Sequence, residues 1–270
     1  MITHPAIARH RESRPQLSGI PKPLNIRFGQ NRKFFMDGYF LKLSLTDGKV
    51  FDICEREEMA SIFGHLLNIP VVRAWSSLTD GIVFPSGTET LCNVVKCVIM
   101  DWIDGNSLLQ DKTAAETVVR SQIQVFADIF AYMQWIGDDD RGLEDIMMVG
   151  NKLLLVDNGL TGPPTIDSPL RSAHPGIELF AHNPIQVLKR CVPSKPSFVA
   201  FVMRDLRVSC DELKHPDFID RCVALHSDDL HGIIEGLGMQ PSIANVLDSR
   251  RQTLRDEYHE WIEKLRLAKW

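Results

Sequence analysis

Long apolar runs are missing from this 270-residue sequence. None approaches the roughly 20 residues that a membrane-spanning helix needs, so no transmembrane segment is expected. The opening stretch MITHPAIARHRESRPQ is polar and lacks the apolar core of a secretory signal. Strong charge of either sign is missing too: 30 Lys and Arg against 35 Asp and Glu leave a formal charge of -5. That balance offers no general attraction to nucleic acid or to an acidic membrane. The six cysteines, at 54, 92, 97, 191, 210 and 222, form no CxxC pair, and the nine histidines make no HxH or HExxH spacing. No zinc pattern results. Scattered single thiols suit a reducing compartment, so a cytoplasmic protein is expected. No internal repeat, low-complexity tract or GxGxxG loop occurs.

What is present is a chain long enough to bury a substantial core, as one large domain or as two lobes folded together. Residues 1–17, rich in His, Arg, Ser and Pro, read as a flexible leader. Short strand patterns follow at 24–28 and 33–36, then Asp37-Gly38, a hairpin-turn pair. From Tyr39 to Leu45 apolar residues alternate with Phe40, Lys42 and Ser44. This period of two predicts a strand with Lys42 on the face opposite the main apolar row. Asp47-Gly48 marks another turn. Met59, Ile62, Phe63 and Leu66 have helical spacing within 55–67, and Pro70 ends that helix. Further strands are expected at 71–75 and 94–100, with a turn at Asp104-Gly105-Asn106. Residues 114–135 read as one strongly apolar helix, and later helices are expected at 183–191, 196–207, 217–223, 228–236 and 241–267.

Chemistry concentrates in residues 136–162, IGDDDRGLEDIMMVGNKLLLVDNGLTG. Strand patterns at 146–149 and 153–156 flank Gly150-Asn151-Lys152. With those three residues as the loop, Val149 faces Leu153, and stepping outward sets Asp145 opposite Asp157. Two carboxylates so placed repel each other and lose hydration. A divalent cation compensates both, and Mg²⁺ favours one or two carboxylates together with substrate phosphates. Asp140, five positions before Asp145, is placed to act as a base or to position a hydroxyl nucleophile. Each feature has a plainer reading. Lys42 alone is an exposed strand lysine, and Asp138-Asp139-Asp140 alone is a solvated acidic loop.

Together these residues resemble the catalytic centre of kinases, in which an Asp lies five positions before a metal-binding residue, a hairpin follows, and a second metal-binding Asp leads into a Gly. The runs Asp140-Arg141-Gly142-Leu143-Glu144-Asp145 and Asp157-Asn158-Gly159-Leu160 resemble the atypical kinases grouped with type II phosphatidylinositol 4-kinases, HipA-like kinases and actin-fragmin kinase. The resemblance implies an α+β, bilobal protein-kinase-like fold: a β-rich N-lobe over 18–103 and a mainly helical C-lobe over 104–270. It implies ATP as cofactor with Mg²⁺, or Mn²⁺, on Asp145 and Asp157, and Asp140 as the catalytic Asp. Lys42 would hold the phosphates, oriented by a helix Glu. Helical phase sets Glu57 opposite the apolar face, Glu58 at its edge and Glu55 within it. Family spacing back from Pro70 favours Glu58, with Glu55 in reserve. Met100, Asp101 and Ile103 would form the hinge that contacts adenine, and Gly19 and Lys22 resemble the phosphate-proximal loop of bacterial members.

By the same resemblance the acceptor is expected to be a protein Ser or Thr hydroxyl; a lipid or small-molecule acceptor and nucleotidyl transfer stay open. Three departures bear on activity: there is no Gly-rich loop, no His before Asp140, and Asp145 stands where the family carries Asn. They leave open a second reading, a nucleotide-binding pseudokinase or interaction module.

Overall fold

Period-two sequence builds the first half of the molecule into a sheet. The computed structural model describes residues 3–24, 32–43, 53–78, 81–84, 96–136, 145–156 and 204–267. Five antiparallel strands, β1 (Lys22–Pro23), β2 (Arg32–Met36), β3 (Tyr39–Leu43), β4 (Ala74–Leu78) and β5 (Lys96–Asp101), lie in the order β1-β2-β3-β5-β4. Asp37 and Gly38 take φ of 49° and 84° between the paired residues Met36 and Tyr39. Both positive values are what a two-residue type I′ hairpin requires, and Asp-Gly meets them at low cost. Alternation then divides the sheet. Phe34, Met36, Leu41, Leu43, Trp75, Cys97 and Ile99 pack together on the outer face, while Ala74, Val98 and Met100 form an inner cluster against which Phe40 packs. Lys42 falls on the inner face with Phe40, as its strand phase predicts.

Helix α2 (Ile53–Leu66) packs on this sheet beside β4 and β5. Asn68, at φ 56°, turns the chain out of the helix while the Ile69 N–H bonds back to the Gly64 carbonyl at 2.7 Å. A side chain at Gly64 would lie 2.3 Å from a methyl of Val71, so glycine admits the returning chain. The expected helix ahead of Pro70 and the strand patterns at 33–36 and 39–45 are thus found close to their predicted places.

The expected flexible leader over 1–17 is not what forms. Residues Pro5–Glu12 are a helix, α1, whose Ile7 is completely buried. His4 caps it by accepting the Ala6 N–H on Nδ1, and Pro5 suits its first turn. Its polar composition hid this, because only one side chain of α1 enters the core.

In the second half, β6 (Asn106–Ser107), β7 (Ile146–Val149) and β8 (Lys152–Leu155) form a small antiparallel sheet. Helices α3 (Lys112–Ser121), α5 (Cys210–Leu213), α6 (Asp217–Ala224) and α8 (Pro241–Leu267) pack around the buried α4 (Ile123–Ile136), and α7 (Ser227–Gly236) packs against α8. The single helix expected over 114–135 is two helices, broken at Gln122 (φ -129°, ψ 37°). The Gln122 amide bonds to the Asn151 carbonyl and accepts the Leu153 N–H, so the break is tied to the β7–β8 hairpin. The last three expected helices form at 217–224, 227–236 and 241–267. The expected helices at 183–191 and most of 196–207, the turn Asp47-Gly48 and most of the strand 24–28 lie outside the described residues.

The two halves are stitched beneath α2. The Val72 N–H donates to Leu155 O at 2.9 Å and the Leu155 N–H donates to Pro70 O at 2.8 Å, so β8 is bonded to the segment joining α2 and β4. Tyr132 Oη donates to Ala60 O at 2.7 Å, and Arg221 Nε to Leu67 O at 2.8 Å. Among the described residues no helix is long and apolar enough to cross a membrane.

Candidate functional site

Lys42 is 4 % exposed, and its Nζ donates to Glu57 Oε1 at 3.0 Å, with the Glu57 side chain wholly buried. Removing both charges from water costs several kcal/mol per ion before their attraction returns any of it. Such a pair is weak as a source of stability, which favours a role in binding. The expected partner, Glu58, is engaged elsewhere: it accepts Arg11 Nε at 2.8 Å and Arg11 Nη2 at 3.2 Å. The reserve choice, Glu55, pairs with Lys96. Glu58 was expected from family spacing back from Pro70, and helical phase did not overrule it because phase supposes one buried face. Instead α2 lies between the sheet, α1 and α4, and Arg56, Glu57, Glu58 and Met59 are all fully buried. Glu57, opposite the Met59-Ile62-Phe63 stripe, is the residue that meets Lys42.

Two basic residues escaped the sequence reading. Arg56 is fully buried beside Glu57, a position no periodicity marks for arginine. Lys33 is the direct cross-strand partner of Lys42 and so shares its face, which the alternation of β2 could have revealed. Lys22 pairs with Phe35, which pairs with Phe40, so it too lies on the inner face, exposed and two strands from β3. Gly19 does not join them. It bridges Ile82, and its backbone lies against Met36, both on the outer face. Its φ of 114° explains the glycine without a ligand.

At the end of β5 the chain crosses between the halves. The Asp101 N–H donates to Arg73 O and the Trp102 N–H to Gly38 O, each at 3.2 Å, while the Asp101 carboxylate accepts Arg73 Nε at 2.9 Å. Its N–H being engaged, Asp101 keeps its carbonyl as the backbone group it can offer a ligand. Among the described residues the Ile103 N–H meets no acceptor. Phe40, Ile103 and Val156 are half-buried and pack on the inner cluster that includes Met100, leaving an apolar patch beside these backbone groups. Gly105 lets the crossing chain approach closely, since a Cβ there would lie 2.4 Å from the Met148 carbonyl oxygen.

The hairpin below carries Asp145. Its register is Val149 with Lys152 and Ile146 with Leu155, so the loop is the two residues Gly150-Asn151 rather than three. Gly150 takes φ 59°, in keeping with glycine at the first central position of a type II′ turn. One residue fewer in the loop slides the pairing by one. Asp145 consequently faces Val156, whose N–H donates to the Asp145 carbonyl at 2.8 Å, and the expected direct opposition of Asp145 and Asp157 is corrected. Asp140, Arg141 and Asp157 lie outside the described residues. Among the described residues no group of three His, Cys, Asp or Glu converges as a metal site.

No protein-family profile matches this chain, and no curated protein matches its sequence. Solved structures do match. The Helicobacter pylori proinflammatory kinase CtkA aligns over 92 % of this chain and 99 % of its own, with a TM-score of 0.50 at 12 % identity. The fold is kinase-like. HipA of the Shewanella oneidensis MR-1 toxin–antitoxin system, solved with HipB and operator DNA, aligns over 100 % of this chain and 74 % of its own, with a TM-score of 0.39 at 10 % identity. The architecture of this chain is α+β, with a β-sheet half and a helical half.

Proposed function

We propose that this chain is an ATP- and Mg²⁺-dependent phosphotransferase of HipA-like type, acting on a protein Ser or Thr hydroxyl in the cytoplasm. The observation that carries the reading is the buried Lys42–Glu57 pair on the inner face of the sheet, beside the half-buried patch of Phe40, Ile103 and Val156. ATP fits those residues. The patch suits a flat base, and the Asp101 carbonyl and Ile103 N–H suit its polar edge. Lys42 then reaches the phosphates, and Glu57 holds its ammonium in place.

For Mg²⁺ the donor set is Asp145 with Asp157, two hard carboxylate ligands of the type that ion accepts. When bound, it would neutralise phosphate charge. Asp140 orients the acceptor hydroxyl and takes its proton as the new oxygen–phosphorus bond forms and the bond to the ADP oxygen breaks. The protein's contribution is positioning and charge complementarity.

A second reading, a nucleotide-binding pseudokinase, is favoured by Asp145 in the place of the family's Asn and by the missing glycine loop. Incubation with γ-labelled ATP and Mg²⁺ or Mn²⁺ in a lysate separates the two. We expect labelled protein with the wild type and none with Lys42→Met, Asp140→Ala or Asp157→Ala. Thermal stabilisation by ATP without any transfer supports the pseudokinase. Label appearing in lipid or small molecules moves the acceptor class. Equal labelling by all four proteins refutes the mechanism.

A further inference from the structure

Helix α1 holds both halves of the molecule at once. On the helical side, Ile7 seats over Gly236 of α7, where a Cβ would come within 2.5 Å of the Ile7 Cδ1. His4 Nε2 meets Asp229 of the same helix at 3.1 Å, and a side chain at Gly232 would strike the His4 ring. On the sheet side, the Ala74 carbonyl accepts His10 Nε2–H at 2.8 Å, and Trp75 Nε1–H donates to the His10 carbonyl at 3.0 Å. One residue on, the Arg11 guanidinium forms its two-pronged pair with Glu58, whose side chain is wholly buried.

Glu58 and Glu57 are adjacent on α2 and so point about 100° apart around it, as 3.6 residues per turn require. One carboxylate is held by Arg11 and the other by Lys42. A buried carboxylate without its cation is strongly unfavourable, so α2 resists any rotation that would take Glu58 from Arg11. The same rotation would take Glu57 from Lys42. Helix α1 is meanwhile anchored to α7 through Ile7 and His4 and to β4 through His10, so Arg11 is held against both halves of the molecule.

We infer that α1 is a clamp and Arg11 a positioning residue: through Glu58 it sets the rotation of α2 that brings Glu57 to Lys42, and so tunes the grip on a nucleoside triphosphate. The inference rests on the proposed nucleotide site, because Arg11 acts on phosphate binding only through Lys42.

The test uses the full chain with Arg11→Met, Arg11→Lys and the double variant Arg11→Met/Glu58→Gln. The double variant leaves no buried orphan charge and keeps the comparison open if Arg11→Met fails to fold. Affinity for Mg-ATP and for adenosine is measured by calorimetry on folded protein. Accessibility of Lys42 to reductive methylation is read by peptide mass spectrometry without nucleotide. Loss of a charge-assisted contact should weaken ATP about tenfold in Arg11→Met and in the double variant. Adenosine, which has no phosphates for Lys42 to hold, should be bound as by wild type. Arg11→Lys should recover most of the ATP affinity, and Lys42 methylation should rise in the other two. Unchanged Lys42 methylation, or equal loss of ATP and adenosine, overturns the inference. Wild type that fails to bind ATP refutes the nucleotide reading, whereas methylation that still rises shows that the clamp stands without it.

Discussion

Burial sets the behaviour of individual side chains along α2 and β5. Cys54 and Cys97 are 1 % and 0 % exposed. Loss of hydration pushes both thiols up to about 12, with neighbouring Glu55 adding to the effect at Cys54. At pH 8 their thiolate fraction is then on the order of one in ten thousand. Iodoacetamide at pH 8, followed by peptide mass mapping, should leave both unmodified in the native protein and modify both in guanidinium. Rapid native labelling of either would contradict its burial. The same burial explains why Lys42 could be phased from sequence while its partner could not. A strand has two faces, and apolar residues on one assign the other. A helix packed on several sides has no polar face to read, and Glu57 and Glu58 are equally buried.

Among the elements, the β7–β8 hairpin is the one whose detail matters most for the site. Its existence was legible in the apolar runs around Gly150-Asn151-Lys152, but its loop length was not, because both two- and three-residue loops accept a glycine there. Gly150 occupies the left-handed region at φ 59° with no atom within 4 Å of where a Cβ would be. Gly150→Ala should therefore cost about 1–2 kcal/mol through backbone conformation alone. Urea unfolding should show that loss with an unchanged slope, and a stability equal to wild type would mean the turn differs. The split between α3 and α4 was illegible for a related reason. Gln122 is neither Gly nor Pro, and the break is held by its contacts with Asn151 and Leu153, distant in sequence.

For the whole molecule, the joint between halves makes stability depend on pH. His10, between α1 and the sheet, titrates below its usual 6.5, chiefly because burial disfavours the cation, although Ala74 and Glu58 pull the other way. Electrostatic interaction with His65 and with the Arg11 guanidinium adds to the lowering. The unfolded chain thus takes up the proton at higher pH than the folded one. Folding is favoured above about pH 6.5, and that part of the stability is lost as pH falls from there through the lowered native value. Thermal melts from pH 7.5 to 5 should show a decline that is shallower in His10→Gln. Parallel curves for the two proteins would remove His10 from the linkage.

Local chemistry was written in the sequence itself. Asp37-Gly38 specifies its turn through positive φ, alternation assigns Lys42 to its face, and helical spacing marks α2 and the later helices. These depend on residues near in the chain, whose steric and burial preferences act within a few positions. Tertiary structure alone decided that Glu57 meets Lys42, that Asp145 faces Val156, and that residues 5–12 fold against α2 and α7. Their partners lie beyond the reach of a single periodic element, from about ten positions for Asp145 with Val156 to more than two hundred for Ile7 with Gly236. Only packing chooses among side chains that local periodicity leaves equivalent.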